Sequence, residues 1–327
     1  MTTLTRYLFL ALFAAAPLFA QTEEEPNPFE TSDTTIVIEE DTSVVSSFSD
    51  EGFFQGLLVT RSYIYEDVPF IEFSMGNSLP SYDKTYMPRF GDSPLRDDYG
   101  MHNIAEIKLG FKDMFSLQPD GYVTGTNGQS FYISTVNFNI LKGMNDEIIP
   151  PEQQLEAWRF GFSNFDGYGY RIADAIDVHL NHAQGINWTR ASFRGETPDS
   201  VNYLAKERLG NRFRFGENYE SSISITPYKY VTLGATFEQA VVYPRHMFWY
   251  WTASKLVEAS AFGLLDWFVD EVEERAPAVV PVVNFALKTG LSYGYYKLLK
   301  REMNWPINTE PPFMYDNFKV TLAINFN

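Results

Sequence analysis

The chain has 327 residues and carries 42 Asp plus Glu against 25 Lys plus Arg, a net charge of −17, with no Cys, 28 Phe, 20 Tyr and 6 Trp. That balance excludes a basic nucleic-acid binder, which needs cations where phosphates sit, and the missing Cys excludes disulfides, Cys-ligated zinc and thiol nucleophiles. At 45% hydrophobic and 17% aromatic residues the composition is far from that of a disordered chain and implies a large buried or lipid-facing surface.

In chain order, Met1 to Ala20 has one cation, Arg6, then an apolar run from Tyr7 and small residues before Gln21. This is the shape of a secretory signal cleaved after Ala20. The run contains Pro17 and is shorter than the roughly twenty residues of a spanning helix, which disfavours an anchor. Residues 21–52 form an acidic leader: between Gln21 and Thr60 lie ten carboxylates and no Lys or Arg. With Pro26, Pro28 and many Ser and Thr it reads as a solvated tail, with docking to an envelope partner as its functional alternative.

Residues 53–327 form the folded domain, where the dominant signal is period two, which puts alternate side chains on opposite faces of a strand. At the C-terminus Phe318, Val320, Leu322, Ile324 and Phe326 point one way and Lys319, Thr321, Ala323 and Asn325 the other. Nine to eleven tilted residues of this kind are about what a strand needs to cross a bilayer. Weaker copies run through Ala105–Phe111, Trp158–Phe162 and Val231–Phe237, with Glu106, Lys108, Arg159 and Glu238 among the polar alternates. The pattern predicts strands over 53–65, 69–77, 103–114, 131–141, 157–163, 168–181, 186–194, 211–226, 228–243 and 317–326. Turns are expected at Asn164-Phe165-Asp166-Gly167, His182-Ala183-Gln184-Gly185 and Ile225-Thr226-Pro227-Tyr228. In that register the loop-like segment Asn77 to Asn103 falls on the side where turns should be short.

An exported, Cys-free, aromatic-rich chain of amphipathic strands that closes on a strand with Phe326 near its end resembles the bacterial outer-membrane β-barrel proteins. The resemblance covers about residues 53–326 in pattern and implies an antiparallel transmembrane β-barrel of roughly 10–12 strands. It further implies a terminal strand read by the barrel-assembly machinery, outer-membrane lipid as a partner, and a structural, porin-like or transport role. Alternating strands also fit a soluble sandwich or barrel acting as an interaction module.

Between Tyr250 and Trp305, within the helical insertion expected at about 251–303, the period changes. Trp251 to Arg275 has Leu256, Val257, Ala261, Leu264, Leu265, Phe268 and Val272 at helical spacing, Thr252 as N-cap and Pro277 as a stop. Its carboxylates Glu258, Asp266, Asp270 and Glu273 fall along one stripe, a candidate binding face that equally fits a solvated one. Pro277 to Met303 fits both periods, and the helix is favoured because the Thr226-Pro227 turn then falls on the short-turn side. Ala259 and Gly263 could pack on Ala286, Gly290 and Gly294 in a hairpin before the last strand, serving as a cap, plug or interfacial element.

The chemistry is thin. Gly290-Leu291-Ser292-Tyr293-Gly294 matches G-x-S-x-G, yet the last histidine, His246, precedes it, so the Ser…His order of an α/β-hydrolase cannot be built. Asp177, His179 and His182 are weak acid/base or metal candidates whose odd spacing puts the two histidines on opposite strand faces. The outer-membrane phospholipases and lipid A deacylases place a His beside a Ser on a strand; His182-Ala183-Gln184-Gly185 has no Ser there. A barrel-embedded lipid hydrolase is therefore the alternative function, and no metal or cofactor is expected.

Overall fold

The computed structural model describes residues 62–82, 100–117, 121–137, 155–173, 176–193, 207–228 and 230–326. The expected signal and acidic leader lie outside these residues. Eight strands form one closed antiparallel barrel: β1 (Ser62–Tyr82), β2 (His102–Ser116), β3 (Val123–Val136), β4 (Leu155–Ala173), β5 (Ile176–Phe193), β6 (Phe213–Tyr228), β7 (Val231–Val242) and β8 (Phe313–Asn325). Each strand pairs with its sequence neighbours, and β8 closes on β1 through pairs running from Phe70↔Asn325 to Tyr82↔Phe313. Between β7 and β8 lie two helices, α1 (Phe248–Arg275) and α2 (Val280–Arg301), joined by a 3-10 turn at Pro277–Val279.

The antiparallel barrel with helices before the last strand is the expected architecture, but the strand number is eight, not ten to twelve. Two features of the sequence inflate the count. Residues 62–65 of the run 53–65 and the whole run 69–77 belong to one long strand, β1, whose register shifts between Tyr63 and Val68, while 53–61 lie outside the described residues. The segments expected as turns at Asn164–Gly167 and His182–Gly185 lie inside β4 and β5, paired throughout. Their glycines serve close approach: a Cβ on Gly167 would meet the Leu180 carbonyl oxygen at 2.3 Å, and one on Gly185 the Phe162 carbonyl oxygen at 2.5 Å. The turn expected near Thr226-Pro227 falls three residues later, at the 229–230 link between β6 and β7.

Eight strands also resolve the connections. The links at 117–122, 174–175 and 229–230 are short and share one end of the barrel with the start of β1 and the end of β8. Those at 83–101, 137–154, 194–212 and 243–312 are long and share the other. These are called the turn end and the loop end below.

Alternation sorts the side chains. Outward positions such as Met75, Ile107, Phe111, Trp158, Ile223, Leu233, Val320 and Leu322 are exposed and apolar, while the inward alternates are buried and largely polar. The polarity of a water-soluble protein is thus turned inside out over much of the wall. An eight-stranded barrel has an interior only just wide enough for side chains to fill, and they do.

Candidate functional site: a sealed lumen and a polar seam on the outer wall

The lumen has three levels. At the loop end Tyr82, Ile104, Val136, Leu155, Phe193, Leu209, Val242, Phe313 and Tyr315 pack into one apolar cluster, each no more than 5% exposed. At the turn end lies a polar vestibule with a cavity of about 100 Å³, lined by Ser130, Ser163, Ser222, Ser224, Thr226, Thr232 and Thr321 together with Glu72, Lys112 and His179.

Between them, charged side chains bridge the barrel. The Lys319 ammonium on β8 lies 2.6 Å from Glu106 on β2, 2.9 Å from Glu238 on β7 and 3.4 Å from Glu220 on β6. Lys108 on β2 pairs with Glu220, which lies on the strand diametrically opposite, and Arg159 on β4 pairs with Glu238. Asn317 donates to Glu238 at 2.9 Å, the Tyr132 hydroxyl donates to Asn218 at 3.0 Å, and the Arg159 guanidinium lies between the rings of Tyr132 and Tyr315. Glu106, Glu220 and Glu238 are close enough together to hold a metal ion, but the ammonium of Lys319 already sits among them. Three buried carboxylates thus meet three buried cations. Buried charge persists only when paired and hydrogen-bonded, and removing one partner costs about 3–5 kcal/mol.

The helical pair does not enter the lumen; it lies on the outside. Inward positions on β4, β5 and β6 include Arg159, Asn187 and Glu220. The side chains that meet the helices, Asp166, Tyr168, His182, Glu217, Tyr219 and Ser221, are the outward alternates. Lys288 on α2 bonds Asp166 at 2.6 Å and Asp266 of α1 at 2.9 Å. Ser292 shares a 2.6 Å hydrogen bond with His182, and Thr289 one of 2.9 Å with Ser221. Trp251 and Lys255 on α1 both reach Glu217, Lys255 also binds Glu258, and the Tyr168 hydroxyl donates to Glu273 at 3.2 Å. The contacts run diagonally, from Glu217 near the loop end to Tyr168 near the turn end. There Leu265, Val269 and Val280 pack with Phe115 and Tyr168.

This seam explains the helices' register. Helix α1 buries Ser254, Glu258 and Glu273, and α2 buries Asn284, Lys288 and Ser292; Leu256, Leu264, Trp267, Val282, Leu287 and Tyr293 are exposed. The expected small-residue contact is absent, for nothing lies within 4 Å of a Cβ placed on Gly263, Gly290 or Gly294. The wall's polar groups turn the polar stripe inward and the glycines outward. Thr252 is not the N-cap either: α1 begins at Phe248, and the Thr252 hydroxyl donates back to the Phe248 carbonyl at 2.9 Å. At that end His246 stands among Phe215, Phe248 and Trp251, and burial pushes its imidazole below the usual pKa.

The expected candidates are thereby dispersed. His179 faces the vestibule and His182 the seam, opposite faces as their spacing requires. Asp177 pairs with Arg171 at 3.0 Å. Within the acidic stripe Glu258 and Glu273 are buried against the barrel, Asp266 pairs with Lys288, and Asp270 is exposed. Sequence order hid the His182–Ser292 contact, because the serine reaches back to a histidine more than a hundred residues earlier. As chemistry it offers a base beside a hydroxyl. Both side chains are 2% exposed, and Ser292 lies mid-helix, where its backbone N–H is engaged in the helix and cannot serve an oxyanion. The pair is a tether.

Two outcomes follow. Lys319→Met should leave carboxylates from three strands sharing fewer cations and destabilise the barrel by about 3–5 kcal/mol, read as a lower temperature for loss of the folded gel band; the additional change Glu106→Gln should restore part of it. Ser292→Ala should cost about 1–3 kcal/mol by leaving a buried ring nitrogen unpaired, seen as faster proteolysis within 248–301 with the barrel band intact.

No protein-family model matches the chain, and no curated protein matches it. Among solved structures it is similar to Neisserial surface protein A, NspA, at 8% identity over 79% of this chain and 97% of that one, with a TM-score of 0.33. It is also similar to Ail, the attachment invasion locus protein of Yersinia pestis, at 9% identity over 80% of this chain and 100% of that one, with a TM-score of 0.28. In its even strand number, antiparallel closure, and short connections at one end against long ones at the other, the architecture is that of the outer-membrane β-barrel class.

Proposed function

We propose that this chain is an exported, integral outer-membrane barrel with a structural or surface-display role and a closed lumen. The observation that carries this reading is the outward belt of exposed Phe, Leu, Ile, Val and Met around an interior of paired charges. Such a surface is costly in water and favourable against acyl chains. The strands run from 12 to 21 residues, enough to cross about 30 Å of hydrocarbon at a barrel tilt.

With the turn end toward the periplasm, the four long connections face outward. Strand β1 then begins on the periplasmic side, and an envelope partner for the acidic leader belongs to this reading. Folding would proceed through the barrel-assembly machinery, with β8 closing on β1. A porin-like role fits less well. The apolar cluster closes the loop end and the ion pairs cross the middle, so a conducting path would require both to open.

Gel mobility and conductance test this together. Protein extracted from outer membranes should run faster in SDS unboiled than boiled, and should give no steady channel in a planar bilayer. Recovery from the soluble periplasmic fraction without a heat shift would count against the membrane reading. Stable conductance by the unaltered protein would refute the closed lumen.

A further inference from the structure

The helical pair lacks the one-sided amphipathicity of a helix packed on a water-soluble protein: its buried face mixes polar with apolar side chains, and large apolar residues are left on the outer face. Lys288, Ser292, Glu258 and Ser254 are buried against the barrel, while Leu264, Trp267 and Leu287 face outward at 39–70% exposure. A helix in water turns its apolar stripe to the core; here Trp251, Leu265, Val269, Val280 and Leu299 are buried, but Leu256, Leu264, Trp267, Val282 and Leu287 are left exposed. Neither helix is long and apolar enough to cross a membrane alone. Of their charged residues, Lys255, Glu273 and Lys288 are partnered by the barrel wall.

We infer that the α1–α2 pair is an intramembrane hairpin whose outer face contacts lipid acyl chains, while its polar face seals a polar diagonal on the barrel. This rests on the outer-membrane reading above and extends it from the strands to the helices. Three observations support lipid as the occupant. First, the exposed face is uncharged over long stretches: the outward residues of α1 from Ala259 to Leu264 and of α2 from Val282 to Gly294 carry no charge, and the exposed Asp266 that follows on α1 is paired with Lys288. Second, 28 and 22 residues at 1.5 Å each give helices of about 42 and 33 Å, comparable to the thickness the strands must cross. Third, charge returns at the ends, with Lys297, Lys300 and Arg301 toward the loop end and Asp270, Glu271 and Glu274 toward the turn end. Trp249 and Tyr250 stand at the loop end, where aromatic residues favour the interface.

Hydrophobic burial cannot hold such a hairpin in place, because lipid is as apolar as Leu; the seam of hydrogen bonds and ion pairs has to do so. The pair is therefore expected to remain on the wall in lipid, where nothing else can satisfy Asp166, Glu217 and His182.

The chain has no cysteine of its own, so single introduced thiols report unambiguously. Leu264→Cys and Leu287→Cys sample the hairpin, Val320→Cys the barrel belt, and Arg301→Cys the aqueous end. The full chain in phosphatidylcholine vesicles would be treated with a membrane-impermeant maleimide, and spin-labelled samples compared for relaxation by oxygen and by a water-soluble nickel chelate. The two hairpin thiols should match Val320→Cys, with maleimide labelling lost, oxygen effective and nickel ineffective, while Arg301→Cys labels fully. Labelling and nickel access at Leu264→Cys and Leu287→Cys with Val320→Cys protected would overturn the hairpin assignment and leave the barrel reading standing. Labelling of all four would overturn both. Protection from oxygen and nickel alike, with disulfide formation between chains, would place a second copy on this face in lipid's stead.

Discussion

The ammonium of Lys319 is the point on which the interior depends. It touches carboxylates from β2, β6 and β7 while belonging to β8, so its pairing exists only when the last strand has closed the ring. Lys108 and Arg159 then distribute the remaining charge so that each inner carboxylate has a cation in reach. Such networks are weak evidence of net stabilisation, because removing six ions from water is expensive. Their stronger effect is on register. A shift of one residue in β8 would turn Lys319 outward and put Phe318 or Val320 among the carboxylates, so the network and the lipid-facing belt specify the same pairing.

The same accounting governs the outside of the wall. In hydrocarbon every polar group must find its partner within the protein. Strands β4 to β6 carry outward polar side chains along a diagonal, and the hairpin brings Lys255, Lys288, Thr289 and Ser292 to meet them. The barrel supplies what the helices lack and the helices what the barrel lacks. Neither surface suits lipid alone; joined, they pair these polar groups with one another.

This mutual dependence decides what can be read from the sequence. Strand β8 is legible residue by residue, because one face meets lipid and the other the ion network. Strand β2 is nearly so, from Ala105 to Phe111. Where the hairpin covers them, strands β4 and β5 carry polar residues outward (Asn164, Asp166, His182, Gln184) and small or apolar ones inward (Phe165, Gly167, Ala183, Gly185), so the pattern of an apolar outer face is lost and a turn is read where the strand continues. The helical period of 251–275 is plain, but which face the hairpin buries is not. The apolar stripe suggests the core side, and only the position of Asp166, His182 and Glu217 on the wall reverses that reading. The charges lining the lumen could be anticipated from the polar alternates Glu106, Lys108, Arg159 and Glu238; that they close it could not, because the width of the interior follows from a strand count that local pattern overstates.

Chain order adds a constraint of its own. The hairpin precedes β8, and the strands it leans on, β4 to β7, all precede the hairpin. Its docking surface is therefore complete in sequence before the closing strand is reached. If the helices docked only after closure, the diagonal of polar residues would face lipid on a finished barrel with nothing to pair it. Docking before closure would avoid that state, with β8 then completing the inner network through Lys319 and the ring through β1. The placement of the helical pair between the seventh and eighth strands puts the strands it leans on ahead of it in the chain, and so allows that order.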